Sequence, residues 1–578
     1  MMAALEDEIP YTQFACIGTG FSGIALGATL VRWYGISSLA LFESQPKLGG
    51  TWQINRYPGA ACDVPSALYS FSFERNPNWT RFLPPHDELQ LYLTKVAEKY
   101  GLLPLTQFST KVVKAQWNEP SSRWILTLHD LTSNTFRKHS CQFLFSGTGQ
   151  FSTPRPLDIP GVESFSGPII HSARWPSPPP SLEGKKVVVF GNGCTAAQIV
   201  PAILPETKSL TQIARSKHWI YPPVDAKMPE IGKAILRSLP GATMLQRYVV
   251  YFLAEADWAG FSLTPSAAKF REKRRKMAVA YIKATAPEKY HDLLIPEFEI
   301  GCKRRIFDSG YLAALHDERL ELTTEKAVEI QPTGVKMEGG RVVEADVIIL
   351  ANGFQTNKYL GGLEVVGRNG ERLEEHWKKF GGPEAYNLTS VSGFPNLFLL
   401  LGPNTATGHT STVMVIENAV NYALRVIRPI LEGKAEAGSA VDVKPEAEKA
   451  YFHRIQTALQ NTVWTTGCNS WYVRGEGGKM YNGMTYPWSQ RRYWYECLFP
   501  VWKDWEYSGK PGKRTIVKSQ KRPVMCMATF AVAAVSGLLA WVSRNPNSRL
   551  AAVLLAARLG TLDLWKSWAV GLLTQRKK

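Results

Sequence analysis

No two of the eight cysteines are spaced as CxxC, and no cysteine–histidine spacing suits a zinc ion. At positions 16, 62, 141, 194, 302, 468, 497 and 526 they read as free thiols of a reducing compartment, not as a disulfide framework. Residues 1–10 hold three acids and no apolar run, so no secretory signal peptide is expected. Tandem repeats are absent apart from two similar units described below. The net charge of +18 raises the question of a nucleic-acid partner. However, no basic helix or aromatic RNA-binding motif accompanies it. From Lys503 onward there are 14 Lys or Arg against three Asp or Glu, so much of the surplus is a basic tail on a mildly basic body. No nucleic-acid partner is expected.

That tail contains a 20-residue run without charge, residues 523–542, which is long enough to cross a bilayer as a helix. Lys513, Arg514, Lys518, Lys521 and Arg522 precede it, and only Arg544 and Arg549 follow closely. The positive-inside rule then leaves the body on the cytosolic side, anchored through its C-terminal tail. A second apolar segment, 550–573, is interrupted by Arg558, Asp563 and Lys566 and suits an interface or the second arm of a hairpin. A buried C-terminal helix is the other reading of the tail.

The 578 residues have room for three or four domains. Twice the pattern runs strand, glycine turn, helix, strand: over 14–42 and again over 186–214. The predicted fold is α/β, with two Rossmann-like dinucleotide-binding domains, a helical insertion and a C-terminal apolar tail. Proline-rich stretches at 153–161 and 176–180 mark linkers. The expected division puts the first domain at 1–152 and 376–502 and the second at 153–227 and 301–375. The insertion occupies 228–300 and the basic linker and tail 503–578. Buried strands are expected at 346–350 and 396–401, and a helix at 410–427.

The first turn is Gly18-Thr19-Gly20-Phe21-Ser22-Gly23, a full GxGxxG between a strand and a helix. Glycines there allow a tight turn and let the backbone approach a pyrophosphate at the helix N-terminus. Glu43 ends the next strand. A carboxylate at that place accepts hydrogen bonds from ribose hydroxyls and repels a 2′-phosphate, so the site suits FAD or NAD. The second turn is Gly191-Asn192-Gly193-Cys194-Thr195-Ala196, the GxGxxA form. Its following strand runs into Arg215-Ser216-Lys217, two cations and a hydroxyl suited to a 2′-phosphate. One site excludes the extra phosphate and the other invites it, which fits FAD and NADPH on one chain.

Two longer patterns resemble a known family. Phe165-x-Gly167-x3-His171-x3-Trp175-Pro176 matches the fingerprint of the Baeyer–Villiger flavin monooxygenases at every fixed position. Gly49-Gly50-x-Trp52-x4-Tyr57-Pro58-Gly59-x3-Asp63 matches a second pattern of that family. The resemblance covers about residues 14–500 and includes members from fungal secondary metabolism. It implies that Thr51, Trp52 and Tyr69 lie near the isoalloxazine and Asp63 at the junction of flavin and nicotinamide. His171, at the linker, would coordinate domain motion and nicotinamide placement. Lys303-Arg304 resembles the family's Lys-Arg pair, whose arginine stabilises an anionic peroxyflavin. Arg305 leaves that assignment open by one residue. A guanidinium suits the task because it stays charged at any working pH.

The activity so implied uses FAD, NADPH and O2 to insert one oxygen beside the carbonyl of a ketone, giving an ester or lactone. Three other readings stand beside it. An N- or S-oxygenating flavin monooxygenase would not need Arg304 at the flavin. A flavin disulfide reductase would need a redox-active cysteine pair. A non-catalytic, membrane-tethered flavoprotein would keep the fold alone.

Overall fold

The structure, a computed structural model, describes residues 9–510 and 514–515, less 152, 357–358, 435–437, 469, 471 and 477–478. The uncharged run 523–542 lies outside the described residues. Among the described residues, no helix is long and apolar enough to cross a membrane.

The first sheet has eight strands. At its centre strand Tyr11–Ile17 pairs in parallel with Leu39–Phe42 on one side and Thr135–Ser146 on the other. Phe14, Ala15 and Cys16 are fully buried, as expected of a parallel strand covered on both faces. Strands Thr110–Asn118, Arg123–Asp130 and Thr135–Ser146 form an antiparallel meander on this sheet. The alternating burial of the first two shows one wet face, and no glycine motif marks the three in the sequence. Leu397–Leu399 returns to pair with Thr135–Ser146.

The second sheet is wholly parallel, in the order Leu320–Thr323, Ser209–Ile213, Lys186–Phe190, Val347–Leu350, Ile169–His171. The strands at 14–17, 39–42, 186–190, 210–214 and 346–350 therefore appear within a few residues of expectation. The helices start at Phe21 and Cys194, inside the glycine motifs, because each glycine turn leads directly into the first helical turn. The chain also rejoins the first sheet before 376. Strand Glu364–Val366, within the stretch expected to complete the second domain, pairs with residues 114–116 of the first sheet. Three residues are too short a strand to leave a periodic signal.

Within the second Rossmann unit, between its strands Ser209–Ile213 and Leu320–Thr323, the expected insertion is helical: Glu230–Ser238, Ala242–Ala256 and Pro265–Thr285. Helix Thr412–Leu431 lays one apolar face on the first core and starts at Ser411, whose Oγ accepts from the Val413 N–H.

Candidate active site

Gly18 leaves its strand at φ +96°, donating its N–H to Phe42 O at 2.8 Å. A Cβ there would stand 2.5 Å from Gly147 O, and one on Gly23 would stand 2.1 Å from Gly18 O. Only glycine permits this packing of turn, helix and sheet. Helix Phe21–Thr29 begins at Gly20 with no side-chain cap. Opposite it lies a second glycine turn, with Gly50 at φ +54° and the Gly49 N–H bonded to Thr19 O. Two backbone loops thus frame an uncapped helix start, a fitting cradle for a pyrophosphate. Glu43 stands against this turn and is buried. Its carboxylate accepts from the Thr19 N–H at 2.9 Å, the Thr19 hydroxyl at 2.8 Å and the Gln45 N–H at 2.9 Å. Beyond the turn, Tyr69 sits edge-on to both Phe21, at 5.0 Å, and Trp52, at 5.7 Å. Thr51 is exposed at the start of the short helix that carries Trp52.

The second turn repeats the arrangement. Gly191 is at φ +130°, and a Cβ there would meet Ala351 O at 2.2 Å. Helix Cys194–Ile203 starts at Gly193, again with no side-chain cap, and a Cβ on Gly193 would meet nothing within 4 Å. Ala196 is fully buried below Thr195. The Asn192 amide donates to Ser216 O at 3.0 Å, tying the turn to the Arg215–Lys217 segment. Arg215 and Ser216 are exposed and Lys217 is half-exposed. Lys303 approaches the same place. Partial burial and then the Arg215 charge push its ammonium below the ordinary lysine range, and its Nζ lies 4.8 Å from the Phe298 ring. Cations gathered without a carboxylate partner among the described residues suit a phosphate.

The segment from Tyr57 to Asp63 lies on the second dinucleotide helix. Tyr57 donates to Gln198 Oε1 at 2.8 Å, and Gln198 donates back to Ala61 O at 3.0 Å. This delivers Asp63 to Arg304. Arg304 Nε donates to Oδ2 and Nη2 to Oδ1, both at 2.8 Å, while Nη1 reaches Gly408 O at 3.4 Å. Burial alone would discharge both partners, but each holds the other charged. The Asp63 carboxyl falls below its usual range and the Arg304 guanidinium rises above its own. Arg305 turns away from this pair. Its Nη1 donates to Asp257 Oδ2 at 2.5 Å, and Asp257 also accepts from Arg274 at 2.7 Å. Asp257 belongs to the helical insertion and no sequence motif marks it. One cleft is lined by Asp257, Phe261, Arg304, Arg305, Gly408 and Tyr472.

The free-thiol expectation fails at one pair. Cys302 and Cys468 form a disulfide with Cα atoms 6.1 Å apart. It ties the segment just before Lys303-Arg304 to the loop that carries Tyr472. The pair is 166 residues apart in sequence, so only tertiary folding brings it together and local spacing is silent. Cys16, Cys62, Cys141, Cys194 and Cys497 are free.

His171 closes its strand beside Leu350. Its Nδ1 accepts from the Ala173 N–H at 3.0 Å and its Nε2 donates to Gly353 O at 3.1 Å. Burial depresses its pKa, so the ring is a neutral clasp between linker and turn. Its ring faces Phe354 edge-on.

Residues 16–84 match the family model described as an NAD(P)-binding Rossmann-like domain. The chain is 35% identical to a Baeyer–Villiger monooxygenase of Streptomyces coelicolor, over 82% of this chain and 89% of that one. It is 36% identical to a Baeyer–Villiger monooxygenase of Pseudomonas aeruginosa, over 81% and 86%. Among solved structures, OTEMO in complex with FAD and NADP superposes with a TM-score of 0.76 at 23% identity, over 87% of this chain and all of that one.

Proposed function

The chain belongs to the Baeyer–Villiger monooxygenases, and from that premise we infer that it uses FAD, NADPH and O2 to convert a ketone into an ester or lactone. One oxygen atom of O2 enters beside the carbonyl, the other leaves as water, and NADPH supplies the two electrons. When bound, the flavin takes hydride from the nicotinamide and activates oxygen; that chemistry belongs to the cofactor.

The chain's own residues bind and orient. Gly18, Gly20, Phe21, Ser22, Gly23 and Glu43 would hold FAD, with Thr51, Trp52 and Tyr69 beside its ring. Gly191, Asn192, Gly193, Thr195 and Ala196 would hold the NADPH pyrophosphate. Arg215, Ser216, Lys217 and Lys303 would hold its 2′-phosphate. Arg304 would place a permanent positive charge where negative charge develops on the reacting oxygens. Asp63 would fix its plane, and His171 would hold the linker. The observation that carries this reading is the two-pronged Asp63–Arg304 pair, which links the segment after the first nucleotide turns to the segment beside the second.

The basic residues before the uncharged run 523–542 support attachment of the tail to a membrane, with the catalytic body on its cytosolic side. Mass spectrometry of a ketone panel incubated with NADPH and labelled O2 tests the activity. One labelled oxygen in an ester or lactone is expected. Labelled N- or S-oxides from amines and sulfides, with unreacted ketones, would overturn it.

A further inference from the structure

Buried residues of helix Ala242–Ala256 fix it to the body. Arg247 is buried and donates to Ala67 O at 2.7 Å and Ser70 O at 2.8 Å, and Val250, Tyr251 and Ala254 pack on the first core. Its outer face turns apolar side chains to water: Leu245, Val249, Phe252 and Leu253 recur at helical spacing and are all exposed, Phe252 by 51%. Helix Glu230–Ser238 packs beside it and buries no residue at all. Its Ile231, Ile235 and then Leu239 just beyond its end, spaced four apart, are exposed in the same way, Ile231 by 74%. Seven large apolar side chains on one helical pair are not the scatter expected of a solvated surface.

We propose that this helical pair docks on a lipid surface. Two observations favour lipid over a protein partner. First, from Ser238 to Ala254 the only charged residue is Arg247, and it points inward, so the second helix offers a partner no charge to read, while the charges of the first helix, Glu230, Lys233 and Arg237, pair with one another. Protein interfaces usually set register with such groups. Lipid chains need none, and amphipathic pairs with cations beside them suit an anionic headgroup layer. Lys227 is exposed just before the first helix, and Arg237 near its end is about half exposed and pairs with Glu230 at 3.9 Å. Second, the sequence independently contains the uncharged run 523–542 with five cations ahead of it. The helical pair would be a second contact, on the body itself. The cleft follows at once in the chain: Asp257, Gly260 and Phe261, which line it, come directly after helix Ala242–Ala256. A ketone dissolved in lipid would then meet the cleft where the body meets the membrane. This consequence rests on the proposed activity; the docking itself does not.

The test uses the full chain with Cys526→Ser and a fluorophore on Ile235→Cys or Phe252→Cys, and a control fluorophore on Leu131→Cys, exposed elsewhere. Vesicles of phosphatidylcholine and phosphatidylserine with brominated acyl chains should quench most of the emission from positions 235 and 252 and little from 131. Negative charge introduced at the neighbours, Ile231→Glu with Leu253→Glu, should abolish the quenching while NADPH oxidation persists. If the vesicles bind the chain but leave 235 and 252 unquenched, the tail alone binds and the proposal fails. It also fails if those positions are already shielded without vesicles, by a second copy or by the chain's own tail.

Discussion

Asp63 and Arg304, 241 residues apart in sequence, meet in a two-pronged ion pair while the adjacent Arg305 is claimed by Asp257. Two neighbouring guanidiniums thus carry different duties. The first is held in one plane by a carboxylate that comes from the segment after the first glycine turns. The second braces the helical insertion against the strand that follows it.

Replacing Arg304 should separate cofactor oxidation from oxygenation. Arg304→Ala removes a fixed charge from the cleft, where one such stabilising group is worth about 3 kcal/mol, or about a hundredfold in rate. NADPH should still be consumed, with hydrogen peroxide released in place of ester or lactone. Arg304→Lys should rescue poorly, since an ammonium lacks the planar fork that Asp63 holds. Arg305→Ala should retain coupling and lose stability instead. Equal product yields from Arg304→Ala and the native enzyme would remove Arg304 from the chemistry.

Asp63→Asn should weaken the same step more mildly, because the guanidinium remains but is no longer held. Breaking the pair should cost about 1–2 kcal/mol of stability, less than for a fully buried pair because both side chains are partly exposed. The pH dependence follows from Asp63's depressed pKa. Its contribution is present above the unfolded carboxylate value, about 3.9, and is lost as pH falls through the lower folded value. Melting curves of native and Asp63→Asn proteins should therefore differ at neutral pH and converge in acid.

The two glycine turns, their buried strands and the contrast between Glu43 and Arg215–Lys217 were legible because each depends on residues close in sequence. A turn, a helix start and a buried parallel strand leave local signals. The meander from Thr110 to Ser146 carries no motif, and its sequence signal is only the two-residue alternation of half-wet strands, as at Trp124, Leu126 and Leu128. The meeting of Asp63 with Arg304 and of Cys302 with Cys468 was illegible for a different reason. Both join segments whose approach is decided by how whole units pack, and spacing says nothing about that. Resemblance to a family marked Asp63 and Arg304 separately; only the fold shows that they touch.

The Cys302–Cys468 bond closes a loop of 166 residues. Loop-closure entropy makes such a link worth about 2–4 kcal/mol. Reduction, or Cys468→Ser, should lower the melting temperature without releasing the flavin. Peptide mapping under non-reducing conditions should recover the two cysteines on one linked peptide. An unlinked pair, with no change on adding reductant, would show that the thiols stay free.

The choice of nicotinamide cofactor should rest on Arg215 and Lys217. Arg215 is exposed at the end of its strand, Lys217 half-exposed, and Lys303 is close enough for the Arg215 charge to lower its pKa. Like charges held together cost free energy in the empty site, and a dianionic phosphate relieves that cost. Arg215→Ala with Lys217→Ala should then weaken use of NADPH by about 1.5–3 kcal/mol for each charged hydrogen bond lost. NADH carries no 2′-phosphate and gains nothing from these cations, so its kcat/KM should change little. The two-cofactor comparison is what makes the measurement decisive. A fold defect would lower both values together, whereas loss of phosphate recognition lowers the NADPH value alone and brings the two cofactors towards equality.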